Sequence, residues 1–142
     1  MMISTRGRYA LRVLIDLAEH RNGSFIPLKE VAARQEISLK YVEQIMSLMS
    51  AHGIVEAAHG KGGGYRISRE PSECRVGEIL RLTEGTLAPV SCLEENAAPC
   101  SRSADCRTLP LWKKLSDAVN TCLDGITLAD LTCGDAGNEY VI

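Results

Sequence analysis

A mostly α-helical fold carrying one small β-hairpin is predicted by three features of this 142-residue chain. Apolar residues recur at three- and four-residue spacing in five segments, the signature of amphipathic helices. A glycine-rich run, His59-Gly60-Lys61-Gly62-Gly63-Gly64, separates two short strand-like stretches. The last long helical pattern, Leu109 to Leu123, carries more apolar surface than a small domain needs. An apolar content of 45% is enough for one compact core, and this length excludes a large multidomain enzyme.

The first helix runs from Arg6 to His20, with Tyr9, Ala10, Val13, Leu14, Leu17 and Ala18 on its apolar face and its arginines outside. Asn22-Gly23 stops it. A short second helix follows Pro27, with Leu28, Val31 and Ala32 facing inward, and Gln35-Glu36-Ile37 forms a turn. Ser38 is placed to cap a third helix, Leu39 to His52, whose buried stripe is Val42, Ile45, Met46 and Met49 and whose end is Gly53. Its first turns present Lys40, Tyr41, Glu43 and Gln44. Two helices joined by a tight turn, the second capped and polar at its N-terminal end, form a helix-turn-helix able to enter a major groove.

Ile54 to Ala57 and Tyr65 to Ser68 read as strands on either side of the glycine tip, a β-wing. The glycines permit close approach to a phosphate backbone, and His59, Lys61 and Arg66 bring donors and charge. A nucleotide phosphate loop is excluded, because neither the Lys-Ser/Thr ending nor a following helix start is present. The chain's net charge is −2, yet residues 1–70 hold ten Lys/Arg against seven Asp/Glu and residues 71–142 six against eleven. The basic half coincides with the winged helix-turn-helix, as a phosphate-binding face requires.

A fourth helix is expected over Val76 to Thr83. Residues 85–108 form a polar loop in which Cys92, Cys100 and Cys106 are spaced x7 and x5. Clustered thiols in a chain without an export signal are soft ligands suited to an iron–sulfur cluster or zinc. Of the scattered cysteines, Cys122 reads as a small buried apolar side chain within the last helix. The domain plan is therefore a winged helix-turn-helix over 1–84, a cysteine loop over 85–108, a long helix and short successor over 109–132, and a tail over 133–142.

The apolar excess of the long helix, Leu111, Trp112, Leu115, Val119 and Cys122, is expected to bury against a second copy, with completion of the monomer core by Trp112 as the alternative. A two-fold dimer sets its recognition helices about 34 Å apart and predicts a palindromic operator on double-stranded DNA. No run of eighteen apolar residues occurs, and the first helix carries Arg8, Arg12, Asp16 and Glu19, so neither a membrane span nor a signal peptide is read and the expected location is cytoplasmic. His20, His52 and His59 have no triad-like partners, and Cys-x5-Cys is not a redox Cys-x-x-Cys, so the chain does not read as an enzyme.

Arg6-Gly7-Arg8-Tyr9-Ala10-Leu11, Ser38-Leu39-Lys40-Tyr41-Val42-Glu43-Gln44-Ile45, Gly60-Lys61-Gly62-Gly63-Gly64-Tyr65, and Leu111-Trp112 through Ile126-Thr127-Leu128 resemble, in order and spacing, the bacterial winged-helix regulators of the IscR, NsrR, RirA and CymR family. The resemblance spans all but about the last ten residues. It implies a dimeric transcription factor with a crossing dimerisation helix and, in many members, an iron–sulfur cluster on three loop cysteines. By this resemblance the DNA-binding residues are Ser38, Lys40, Tyr41, Glu43 and Gln44 with His59 and Lys61 of the wing, and the cluster ligands are Cys92, Cys100 and Cys106; Arg8 is read from its charge, with Lys40 and Lys61, as a phosphate contact.

Two departures bear on the cofactor. The x7 spacing is closer to RirA-like members than to the IscR type. Leu109 stands where IscR-like proteins have a histidine, and Arg8 where the nitric-oxide regulators have an aspartate. Asp105, Ser101, Glu94, Glu95, a partner residue or an exogenous ligand remain for the fourth position, which favours a three-cysteine [4Fe-4S] cluster over [2Fe-2S]. A thiol switch, zinc, or sensing through a partner protein are the alternatives.

Overall fold

The computed structural model describes residues 2–132, and the tail 133–142, with Cys133, lies outside the described residues. The elements are α1 (Thr5–Glu19), α2 (Leu28–Gln35), α3 (Leu39–Ala51), β1 (Val55–Ala58), β2 (Gly64–Ile67), a short 3-10 turn (Pro71–Glu73), α4 (Val76–Glu84), a second 3-10 turn (Ser91–Leu93), α5 (Leu109–Asp124) and α6 (Leu128–Leu131).

Three caps set the helix starts. Ser4 Oγ accepts from the Gly7 amide at 3.0 Å and Ser38 Oγ from the Tyr41 amide at 3.2 Å, each satisfying an amide the helix leaves open. Thr127 and Asp130 form a reciprocal capping box on α6. The α2–α3 turn passes through Glu36 in the left-handed region (φ 54°) and buries Ile37.

The main core lies between α1, α2, α3 and α4. Val13, Leu14 and Leu17 of α1 meet Val31 of α2, Val42, Ile45, Met46 and Met49 of α3, Ile54, Ile79 and Leu128, all essentially inaccessible to solvent. Burying each such side chain contributes about 1.5–3 kcal/mol. A satellite core of Val76, Leu80 and Leu87 seats Val119 and Leu123 of α5 on α4, and Arg81 locks the contact by donating to Asp124 at 2.7 Å and Asn120 at 2.8 Å.

The wing is one antiparallel pair with Val55 opposite Ile67 and Glu56 opposite Arg66. Ile54, read above as the first strand residue, is instead a core residue held by the Met49 carbonyl. Ile26 and Tyr65 exchange backbone hydrogen bonds at 2.8 and 2.9 Å and tie the wing to the start of α2. Gly64 (φ 152°) makes this possible, since a Cβ there would collide with the Ile26 carbonyl.

Among the described residues, Asp16 is the buried charged side chain, at 1% exposure. Arg34 of α2 grips it with both arms, Nη2 at 2.7 Å and Nε at 3.0 Å, while the Gln35 amide donates at 2.9 Å. Burial alone would raise the carboxyl pKa, but the Arg34 and Gln35 donors and the Arg34 and His20 charges outweigh it and hold it below the usual carboxylate range.

Two expectations for α5 are corrected. Cys122 is exposed rather than buried, and no residue of α5 is fully buried within one chain. Trp112 is half-buried and belongs to neither core cluster, so it does not complete the monomer core. Leu111 and Leu115 stand 55% and 41% exposed, and with Ala118 and Cys122 they form an uncovered stripe along one side of the helix.

Asp16→Ala is expected to destabilise the fold by about 3 kcal/mol, the lower end for breaking a buried pair because Arg34 is partly open to solvent. A carboxylate with a depressed folded pKa stabilises above its unfolded value, and that contribution is lost as pH falls through the folded one. The difference in denaturant midpoint between wild type and variant should therefore be largest at neutral pH and shrink below about pH 4; an unchanged difference at low pH would contradict this account.

Candidate nucleic-acid interface and cysteine pocket

The outward side of α3 follows from the burial of Val42, Ile45, Met46 and Met49, which leaves Lys40, Glu43 and Gln44 exposed. Tyr41 is half-buried and meets the Tyr9 ring edge-on, with centroids 5.6 Å apart. Arg12 lies over the other partner of that pair, 5.1 Å from the Tyr9 centroid, and donates to the Gln35 side chain and carbonyl. The recognition helix is thus braced by aromatic and cationic contacts from α1 and α2. Ser38 is exposed and acts as the cap of α3.

Arg8 is exposed on the first turns of α1 and donates to Thr5 Oγ1 at 3.0 Å. His59 and Lys61 are exposed at the wing tip, where the Gly63 amide closes a turn onto the Gly60 carbonyl. Arg66 is committed elsewhere: it pairs with Glu56 at 2.6 Å, donates to the Gly23 carbonyl and stacks 4.2 Å over Phe25. Its role is to hold the wing rather than to offer a free charge.

Arg6 is the residue that sequence reasoning passed over. It lines a cleft of about 510 Å³ with Tyr41, Gln44, Ser47 and Leu48 of α3. Its basic character and place in Arg6-Gly7-Arg8 were visible in the sequence, but its proximity to α3 is a tertiary fact.

The three loop cysteines come to one pocket. Cys92, Cys100 and Cys106 line a recess of about 190 Å³ with Leu93, Pro99, Ser103, Leu109 and Lys113. Cys92 sits in the second 3-10 turn, the Cys100 carbonyl accepts from the Ser103 amide, and Cys106 lies just ahead of α5. The thiols share the pocket without being drawn to ligating distance: among the described residues no group of three His, Cys, Asp or Glu is gathered as a metal site. Glu94 and Glu95 line a separate cleft with Arg81 and Glu84, and Asp105 lines another with Arg102. On the cysteine pocket itself the polar side chains besides the thiols are Ser103 and Lys113.

The Thr108 hydroxyl, 3.5 Å from Cys106 Sγ, holds that thiol below its ordinary pKa, helped by the amides of Thr108 and Leu109 and the Arg102 charge. Cys74 is the opposite case. It is buried in the main core, and burial pushes its thiol up.

A capped recognition helix packed on a helical core, followed directly by a glycine-tipped wing, defines the class: a winged-helix DNA-binding regulator. The chain belongs to the Rrf2 family, described as iron-dependent transcriptional regulators, which it matches over residues 3–134. It is 35% identical over 131 residues to the HTH-type transcriptional regulator IscR of Vibrio atlanticus, covering 92% of this chain and 75% of that protein. Among solved structures it is similar to CymR, the global cysteine regulator of B. subtilis (TM-score 0.76, 34% identity, 96% and 99% of the two chains), and to T. potens IscR (TM-score 0.72, 32% identity, 92% and 85%). The protein is a transcriptional regulator and not an enzyme. Among the described residues no helix is long and apolar enough to cross a membrane.

In reduced, metal-free protein, iodoacetamide at neutral pH is expected to label Cys106 well ahead of Cys74, and Thr108→Val should slow Cys106 by removing the hydroxyl that favours its thiolate. Peptide mass mapping over time measures both rates, and equal labelling of the two cysteines would contradict the assignment.

Proposed function

We propose that this protein is a cytoplasmic homodimer that binds palindromic operators on double-stranded DNA with an affinity set by an iron–sulfur cluster on Cys92, Cys100 and Cys106. The observation that carries this reading is the convergence of all three loop thiols on one pocket at the foot of α5. The donor set fits the group: thiolates are the usual ligands of such clusters, the apolar side chains of Leu93, Pro99 and Leu109 limit water, and Cys106 is biased toward the thiolate. With no histidine or carboxylate among the described residues of the pocket, the set fits a [4Fe-4S] cluster with three protein ligands better than a [2Fe-2S] cluster. When bound, such a cluster makes the protein responsive to iron supply, oxidants or nitric oxide.

On the DNA side, Lys40, Lys61 and Arg8 serve as phosphate contacts, and Ser38, Tyr41, Glu43, Gln44 and His59 are placed for base or water-mediated contacts. The second copy covers the Leu111–Leu115 stripe of α5 and spaces the two recognition helices by one turn of DNA. A coupling of about 1–3 kcal/mol between pocket and DNA changes operator affinity about 5- to 150-fold.

A second reading is favoured by the likeness to CymR and by thiols that share a pocket without gathering at ligating distance. In that reading the signal is a cysteine thiol switch, zinc or a partner protein acting on the same winged helix.

Protein purified without oxygen is expected to absorb broadly near 400–420 nm, with about four iron and four sulfide per monomer, in the manner of thiolate-held clusters. A Cys92/Cys100/Cys106→Ala triple variant should lose both features and shift operator affinity. Colourless wild-type protein that is inactivated reversibly by diamide would overturn the cluster and support the thiol switch.

A further inference from the structure

We propose that Arg6 contacts the DNA backbone beside the recognition helix, and that Glu84 positions it through the cap of α1. This inference rests on the reading of α3 as the DNA-reading helix.

The cleft that Arg6 lines is walled on its other side by Tyr41, Gln44 and Ser47, the polar flank of α3. An anion beside the N-terminal half of α3 would meet this guanidinium. Arg6 is exposed and, among the described residues, makes no hydrogen bond or close ion pair, although its charge acts at longer range on Glu84 and helps hold that carboxyl below its usual range. The other arginines of α1 are engaged, Arg12 with Gln35 and Tyr9 and Arg8 with Thr5. A planar fork of donors at the positive end of a helix suits a phosphate oxygen.

The placement of Arg6 is fixed by the residues on either side of it. Glu84, the last residue of α4, accepts from the Ser4 amide at 2.6 Å and from the Ser4 hydroxyl at 2.7 Å. Ser4 is the cap of α1, so this one carboxylate determines how the first turn carrying Arg6 begins. Gly7 leaves room for the same contact, since a Cβ there would come within 2.8 Å of Glu84 Oε2 and the carboxylate would have to shift.

On its other side Glu84 faces a cleft of about 490 Å³ shared with Leu93, Glu94 and Glu95 of the cysteine loop and Ser116 and Asn120 of α5. Leu93 adjoins Cys92 and also lines the cysteine pocket. Glu84 therefore stands between the cap of α1, which it contacts through Ser4, and a cleft that it shares with the loop. Coupling of Glu84 to Arg6 needs a measurement that isolates it.

The test is operator affinity of the full chain, purified without oxygen, by fluorescence anisotropy with a labelled duplex selected from random sequence by the wild type, over a salt series. Arg6→Gln should weaken binding and flatten the plot of log affinity against log salt by about one per subunit, the effect of one phosphate contact. Arg6→Lys should restore most of that slope. Glu84→Gln should flatten the slope less than Arg6→Gln, and should add nothing further in the Arg6→Gln background. Thermal midpoints and the visible spectrum of each variant identify any that fails to fold, and Arg6→Lys keeps the Arg6 test intact if Glu84→Gln does.

A wild-type slope in Arg6→Gln with DNA binding retained would overturn the Arg6 contact while leaving the DNA-binding reading standing. Effects of Arg6→Gln and Glu84→Gln that simply add would overturn the latch. Wild type without salt-dependent affinity for any duplex would remove the DNA-binding reading and this inference with it.

Discussion

The grip of Arg34 and Gln35 on the buried Asp16 carboxylate is the constraint on which the DNA-reading end of the molecule depends. It joins the last turn of α1 to the end of α2, and α3 begins only a short turn later. A hydrophobic core packs well at many small rotations of one helix against another, because its attraction is non-directional. A bidentate guanidinium–carboxylate pair accepts only a narrow range of geometry. The pair gives little net stability over an apolar substitute of similar shape; its contribution is the orientation of α2, and through the Glu36 turn the orientation of α3.

A comparable division of labour joins α5 to the body. Val119 and Leu123 supply the apolar contact with α4, and Arg81 bonds to Asp124 and Asn120 to fix the direction in which the helix leaves. The half of α5 nearer the cysteine loop projects beyond this anchor, which is why Leu111 and Leu115 stay exposed in a single chain. The same projection carries Leu109 and Lys113 to the cysteine pocket. The exposed stripe of α5 and the cysteine pocket thus share one helix.

Much of this was legible in the residues. The helix start at Ser38, the wing turn in the glycine run and the inward faces of α1 and α3 are local consequences of capping, backbone freedom and periodicity. The three cysteines stood out by their spacing, and the structure places all three on the lining of one pocket. The errors have a common form. Cys122 has the spacing of a core residue, yet it lies on a side of α5 that nothing in the same chain covers. Arg66 has the composition of a free wing charge, yet Glu56, Phe25 and the Gly23 carbonyl claim it.

By itself the sequence determined the order of the helices and the wing and the family, because each depends on neighbours within a few positions or on an ordered series of motifs. Only the tertiary structure decided which charges are committed and which remain free. Asp16 and Arg34 are 18 residues apart, Arg12 and Gln35 23, and Ser4 and Glu84 80. A hydrogen bond acts over about 3 Å, so no pattern along the chain reveals that Glu84 ends at the cap of α1 or that Arg6 is left facing the cleft beside α3.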